Sequence, residues 1–396
     1  MKRITTLGLL ALAISVNVSA KLYTASEHAI ELSKQSLIID THIDVPYRLE
    51  KQWQDVSKSA DGDFDYPRAV EGGLNAPFMS IYIPAHLEKT GGSYEMANRL
   101  IDSMEALVGR APNKFAMADS VSDITKQFEQ GKISLAMGME NGSPIEGKIE
   151  NLNHFFNRGI RYITLTHSQT NHISDSSYDL RRQWNGLSKF GKELVVEMNN
   201  LGMMIDVSHI SDDAFYQVMD ISKVPVIASH SSLRKYTPGF ERNMDDKMLL
   251  ALKNNNGVIQ INFGSSFVTS AAGAWSKKMK AKRSEAQDKH GKNSLQLKGF
   301  KKAYAVKNPY PFATTKQVVE HINHVVKLIG IDHVGIGSDF DGVGDSLPVG
   351  LKDVSNYPNL VQALIEYGYS DNDIKKILSG NLLRVWQQVE QYASTN

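Results

Sequence analysis

The sequence predicts an α/β fold, a single-domain (β/α)8 TIM-like barrel, on three observations. Eight short, nearly continuous apolar runs recur along the chain, longer amphipathic stretches separate them, and several runs end in ionisable residues. Continuous apolar runs suit parallel strands covered on both faces. Strands alternating with helical patterns build βαβ units. The first run, "SLIIDTHID" at 36–44, closes on Asp40, His42 and Asp44. Residues two apart on a strand share a face, so His42 and Asp44 are expected to point the same way.

The remaining runs are "LNAPFMSIYIP" (74–84), "ISLAMGME" (133–140), "IRYITLTH" (160–167), "MMIDVSH" (203–209), "VPVIASHS" (224–231), "GVIQINF" (257–263) and "HVGIGSDFDG" (333–342). Helical patterns lie between them, among them 94–110, 188–202 and 314–330, and several end in Gly, a common helix stop. The stretch from "YPNLVQ" to "VEQY" reads as two or three helices that close the structure. A length of 396 residues is ordinary for one barrel with insertions. Neither a domain boundary nor a short-period repeat interrupts it. Periodicity alone leaves a doubly wound open sheet as the alternative.

The first twenty residues stand apart. "MKRITTLGLLALAISVNVSA" has a basic start (Lys2, Arg3), an apolar stretch and small residues at Ser19 and Ala20, the pattern of a cleaved secretory signal. The apolar stretch is short for a membrane span and is broken by Asn17. The expected products are a leader at 1–20, a barrel domain at 21–396 and an exported location, periplasmic or secreted. The chain has no cysteine, which excludes disulfides, thiolate metal ligands and a cysteine-linked lipid anchor. A formal charge of +1 gives no reason to expect nucleic acid as a partner. No segment after the leader reads as a stable membrane anchor. One region breaks the charge balance: 275–307 is rich in lysine, with only Glu285 and Asp288 as acids. It reads as a solvated, partly helical insertion, with a lid or a contact surface for an anionic partner as the other reading.

The polar strand ends carry the chemistry. His42, His167, His209 and His230 each terminate an apolar run, Glu140 ends another and Asp339 follows the last. In a barrel these ends converge on one face, where active sites are built. Six ionisable groups buried together need a compensating charge, which divalent cations would supply. Without thiolates, a His and carboxylate donor set suits a hydrolytic zinc site. The other histidines lack this pattern: His321 and His324 share a helix face far from any strand end, and His28, His86, His154 and His290 do not end an apolar run. His172, in "SQTNHISDSS", is on a loop near the site and is left out of the donor set.

At these residues the sequence resembles the membrane (renal-type) dipeptidases, zinc metallopeptidases of the amidohydrolase-like barrels. The landmarks are "IDTHIDVPYRL", "GMENG", "RYITLTHS", "GLSKFGKELVVEMNNLGMMIDVSHIS", "PVIASHSS", "ERNMDD", "GSDFDG" and "NLLRVW", in order from about Ala25 to Gln387. The resemblance implies two zinc ions per chain. His42 and Asp44 would hold one, His209 and His230 the other, and Glu140 would bridge both around a shared hydroxide. It further implies Asp339 as general base and then acid, His167 as the group facing the scissile carbonyl and its oxyanion, and Arg242 as the binder of the substrate's terminal carboxylate. Dipeptides, including those with a D-residue at the C-terminus, are the implied substrates, and the resemblance suggests a homodimer.

Two features depart from mammalian members of that family: this chain has no cysteine for disulfides, and it ends in the polar "QQVEQYASTN" without an anchor signal. The lysine-rich segment is also longer than expected and follows "INFGSSFVTS", where the family places substrate-side residues. Two further readings remain. Another amidohydrolase-like reaction, on a lactam, lactone or N-acyl amino acid, would ordinarily start from His-x-His and often a carbamylated lysine. Here the first strand has His42-x-Asp44 and the candidate bridge is Glu140. A degenerate metal-binding protein would have lost a ligand or the proton-transfer acid, and none is lost.

Overall fold

All eight apolar runs form strands in the computed structural model, which describes residues 24–291 and 297–395. The leader expected at 1–20 lies outside the described residues. The strands are β1 (Ile39–Ile43), β2 (Ala76–Tyr82), β3 (Phe115–Met117), β4 (Ile133–Glu140), β5 (Ile160–Thr164), β6 (Met204–Asp206), β7 (Ile227–Ser231), β8 (Val258–Ile261) and β9 (Val334–Ile336). Every pairing is parallel, in the order β1-β2-β4-β5-β6-β7-β8-β9. The sequence reading missed β3, a three-residue strand off this path that pairs only with β4.

The barrel closes between β1 and the segment after β9, largely through polar groups. Asp44 N–H donates to Phe340 O (2.9 Å) and Asp339 N–H to His42 O (3.1 Å). The buried Asp40 carboxylate spans the seam, with Oδ1 accepting from His42 N (3.0 Å) and Ser338 N (3.0 Å). The Tyr357 hydroxyl binds its other oxygen. Burial pushes the Asp40 carboxyl up from the ordinary range, against these hydrogen bonds. Thr41 Oγ1 donates across the barrel to Ser229 O (2.5 Å). Thus the seam that completes the barrel also sets His42 and Asp339 side by side.

The amphipathic stretches form helices close to their expected limits: Ser93–Arg110, Lys189–Leu201 and Thr315–Ile329. Ser188 caps the second, accepting from Gly191 N, and Gly202 ends it in a left-handed conformation (φ 82°). Their apolar faces pack on the strands in the main core. A second cluster combines residues at or near the strand starts (Ile39, Ala76, Phe78, Met204, Ile227, Val258) with Leu382, Val385, Trp386 and Val389 of the last helix, Asn381–Thr395. That helix therefore plugs the end of the barrel where the strands begin and leaves the opposite end open for a site. The lysine-rich segment is a long helix, Ser270–His290, followed by a short one, Phe300–Lys307; residues 292–296 lie outside the described residues. No helix among the described residues is long and apolar enough to cross a membrane.

The plug is testable. Trp386 is fully buried with its ring 5.3 Å from that of Phe78. Trp386→Ala should cost about 3–5 kcal/mol in denaturant unfolding, the usual scale for emptying a large aromatic site. A loss below about 1 kcal/mol would mean that the helix only lies against the barrel.

Candidate metal centre and active site

Seven of the eight sequence-predicted site residues come from six strand ends, and the structure brings those seven into one cluster. His42 is in β1 and Asp44 follows it, Glu140 ends β4, and His230 is in β7. His167, His209 and Asp339 each lie three residues beyond β5, β6 and β9. Glu140 is at the centre. Its Oε2 lies 3.5 Å from His42 Nε2, and its Oε1 lies 3.1, 3.3 and 3.6 Å from the Nε2 atoms of His209, His230 and His167. Asp44 Oδ2 is 3.6 Å from His42 Nε2. Asp339 is within ligand reach of His42 and Asp44, and His167 within reach of Glu140 and His209.

Local backbone is bent to make this convergence. His209 (φ 69°), Asp339 (φ 64°) and Asn141 (φ 78°) are left-handed, a conformation that costs a non-glycine residue of order 1–3 kcal/mol and collects at functional sites. At Gly342 only glycine fits, since a Cβ there would lie 2.1 Å from both Asp339 Oδ1 and Asp44 Oδ2. Asn262 Nδ2 donates to Asp339 Oδ2 (2.7 Å), which fixes one oxygen of that carboxylate and leaves Oδ1 facing Asp44 and Gly342.

Behind the ligands, residues that sequence reasoning missed set the histidine tautomers. Tyr162 O–H donates to Thr41 O (2.9 Å), so its oxygen accepts from His42 Nδ1–H (2.9 Å). Ser229 O–H donates to Asp206 (2.6 Å), so its oxygen accepts from His230 Nδ1–H (2.7 Å). In the neutral ring each arrangement turns an Nε2 lone pair toward Glu140. Such partners orient metal-binding imidazoles. Ser229 directly precedes His230 in the sequence, which was the available signal, but a tyrosine in "RYIT" and a serine in "IASH" read as ordinary core.

These atoms fit divalent ions. His42 Nε2 is buried without a hydrogen-bond partner. His209 Nε2 and His230 Nε2 approach to 2.8 Å, although His230 presents a lone pair there. Two such nitrogens on one tetrahedral ion, each at about 2.0–2.1 Å, lie roughly 3.3 Å apart. The electrostatics divide the histidines: at His42 burial is outweighed by Tyr162, Glu140 and Asp44, which hold its pKa well above the ordinary value. Burial opposes ionisation of Glu140, yet His167, His42, His209 and His230 together hold its pKa well below the ordinary value. Burial, with the positive Arg242 and neighbouring imidazoles, holds His209 and His230 well below theirs. Burial, then Asp44, pushes Asp339 well above the carboxylate range.

A cleft of about 630 Å3 opens over this cluster. Asp44, Glu140, His167, His209 and Asp339 are on its wall, with Tyr82, Tyr178 and Phe267 around them. The Tyr82 ring meets His167 edge to face at 5.0 Å. Arg242 is the site residue placed differently from its expected role. It is 3% exposed and off the cleft wall. Its guanidinium donates to His230 O (2.7 Å) and Ser231 Oγ (2.7 Å) and lies 5.5 Å from the Phe267 ring centre. Nε is the guanidinium nitrogen that makes no hydrogen bond. Two buried or half-buried histidines outside the donor set have protein partners: His172 pairs with Glu88 (3.0 Å), and His321 bonds Val268 O (3.0 Å).

A parallel barrel with a buried His–carboxylate cluster at its strand ends has the build of a metal-dependent hydrolase. The chain belongs to the membrane dipeptidase family, peptidase family M19, whose description matches residues 26–396. It is thereby a metallo-dipeptidase, a hydrolase of peptide bonds. An uncharacterised dipeptidase of Schizosaccharomyces pombe is 32% identical over 96% of this chain and 87% of its own length. The dipeptidase tcpJ of Claviceps purpurea is 32% identical over 86% of this chain and 72% of its own. Among solved structures, the probable dipeptidase PvdM from Pseudomonas aeruginosa superposes with a TM-score of 0.82 at 29% identity, covering 95% of this chain and all of that one.

The hydrogen bond behind His42 generates a prediction. Tyr162→Phe keeps the buried ring but removes the acceptor that orients His42, and should weaken divalent-ion binding about 10- to 100-fold. Competition with a chromophoric chelator reads this directly. Unchanged affinity would show that the tautomer is set by some other contact.

Proposed function

We propose that this chain is an exported two-zinc dipeptidase that cleaves the single peptide bond of a dipeptide, including dipeptides with a D-residue at the C-terminus. The observation that carries the reading is the division of Glu140: Oε2 faces His42, while Oε1 faces His209 and His230. One carboxylate thereby serves two sets of nitrogen donors. His42 and Asp44 would hold one ion, His209 and His230 the other, and Glu140 both. Zinc bound there supplies Lewis-acid charge that polarises the scissile carbonyl and acidifies water near neutral pH.

The chain's own residues do the remaining work. Asp339, fixed through Oδ2 by Asn262, keeps Oδ1 free to take a proton from the attacking water and return it to the leaving amine. His167 is on the cleft wall with Nε2 3.6 Å from Glu140 Oε1, beside the ions' place, and is suited to meet the oxygen of the scissile carbonyl. Arg242, through its unpartnered Nε–H and its net charge, attracts the terminal carboxylate and fixes which end of the substrate lies beside β7. Export rests on the leader-like pattern at 1–20, with cleavage near Ala20.

Substitutions separate these roles. Glu140→Gln removes the charge that both ions share, so zinc content and turnover should fall together. Asp339→Asn should lower kcat about 100-fold or more, the scale of lost acid–base catalysis, while zinc content by elemental analysis stays near that of the unsubstituted protein. Zinc loss equal to that of Glu140→Gln would move Asp339 into the ligand set.

The experiment that tests chain-end selection compares a dipeptide with its C-terminal amide and with a tripeptide; both should be poor substrates. In Arg242→Met the free dipeptide should lose the value of a charge-assisted contact, about 1.5–3 kcal/mol in kcat/KM, and the amide far less. Equal losses on the two substrates would mean that Arg242 only braces His230 and Ser231.

A further inference from the structure

The catalytic cleft does not end at the metal cluster. A second groove of about 560 Å3 adjoins it, and the two share Tyr178, Ser266 and Lys280. One wall is the 237–240 turn, which leads directly into Arg242. The other wall is the helix Ser270–His290, the start of the lysine-rich segment. Small residues on both walls, such as Gly239, Gly273 and Ala274, leave the space open. We propose that this groove receives the side chain of the substrate's C-terminal residue, and that Lys277 and Lys280 select an acidic one. The proposal rests on the dipeptidase reading and extends it to a substrate class.

Four observations support it. Lys277 and Lys280 are three apart on one helix, so they share a face, and both line the groove. Neither has an ion pair or hydrogen bond among the described residues, whereas Lys282 of the same helix pairs with Glu285 (2.7 Å). None of the described residues lining the groove is acidic. In the adjoining cleft Asp341 is already paired with Arg48 (3.0 Å), and Asp44, Glu140 and Asp339 belong to the metal cluster.

The helix is also held in place rather than merely solvated. Trp275 is buried at its base, donates Nε1–H to Asn308 O (2.7 Å) and meets the rings of Tyr304 and Tyr310 at 5.3 and 4.9 Å. This anchor is two and five residues from the two lysines, so their ammonium groups stand over the groove from a fixed backbone. The end assignment follows from Arg242. If the terminal carboxylate is drawn toward that guanidinium, the side chain nearest the 237–240 turn is that of the C-terminal residue. Phe240 and Phe267, with ring centres 5.8 Å apart, form the apolar step between the two positions.

The test uses isosteric substrates and the full zinc-loaded enzyme. Ala-Glu and Ala-Gln are compared, with the C-terminal residue in both configurations, for the unsubstituted enzyme, Lys280→Gln and Lys277→Gln/Lys280→Gln. The expected kcat/KM ratio of Glu over Gln is about tenfold at low salt, falling to about threefold in the single variant and toward one in the double, since each exposed charge contributes only modestly. Raising the ionic strength should lower the ratio for the unsubstituted enzyme and leave the double variant flat, because the Debye length shrinks from about 10 Å at 0.1 M to 3 Å at 1 M. A ratio near one in the unsubstituted enzyme, a ratio that the substitutions do not change, or a preference seen instead in Glu-Ala over Gln-Ala would each overturn the assignment while leaving the dipeptidase reading intact. No hydrolysis of any of these dipeptides, nor of Ala-Ala, would overturn the dipeptidase reading and this inference with it.

Discussion

The site depends on one buried carboxylate with nitrogen lone pairs on both sides. Glu140 is 4% exposed, and four imidazoles converge on its two oxygens. Two of those imidazoles are fixed from behind, His42 by Tyr162 and His230 by Ser229, each through its Nδ1–H, so that in the neutral ring Nε2 presents a lone pair to the carboxylate. Leaving such groups uncompensated in the interior would be expensive. A cation satisfies the carboxylate and the lone pairs at once. The left-handed backbone at His209 and Asp339 and the bare Cα of Gly342 make sense as the means of bringing these donors within reach of common ions.

Much of this arrangement was legible in the sequence because parallel barrel strands leave two marks. Their apolar runs are continuous, and a run that ends in His, Asp or Glu places that group on the open face. "SLIIDTHID", "ISLAMGME" and "MMIDVSH" each show both marks. What was not legible follows from the same physics. β3 is three residues long and does not enter the barrel path, so it leaves no run to detect. Tyr162 reaches His42 from β5 to β1, and Asp206 reaches His230 through Ser229 from β6 to β7, relations between strands that cannot be read along one segment. Arg242 was found by its motif, but its hydrogen bonds to His230 O and Ser231 Oγ at the end of β7 were not foreseeable from it.

The lysine-rich segment shows the limit of composition as a guide. Read alone it is a solvated, charged excursion, and most of the helix Ser270–His290 is indeed exposed. Trp275 changes its meaning, because one buried indole against Tyr304 and Tyr310 ties the helix beside the cleft. Barrel and helix then divide the labour. Strand ends fix the chemistry, where small displacements are costly, and a separate element after β8 shapes what approaches it. Such a division matches the way barrels vary specificity through the segments that follow their strands.

The central claim is that Glu140 is shared between two ions. Anomalous X-ray scattering from zinc-loaded crystals, recorded on both sides of the zinc absorption edge, tests it most directly. The account predicts two peaks per chain at the strand ends, roughly 3.5–4 Å apart, with Glu140 within bonding distance of both, His42 and Asp44 at one and His209 and His230 at the other. A single peak in the fully active enzyme, or two peaks that do not share Glu140, would contradict it.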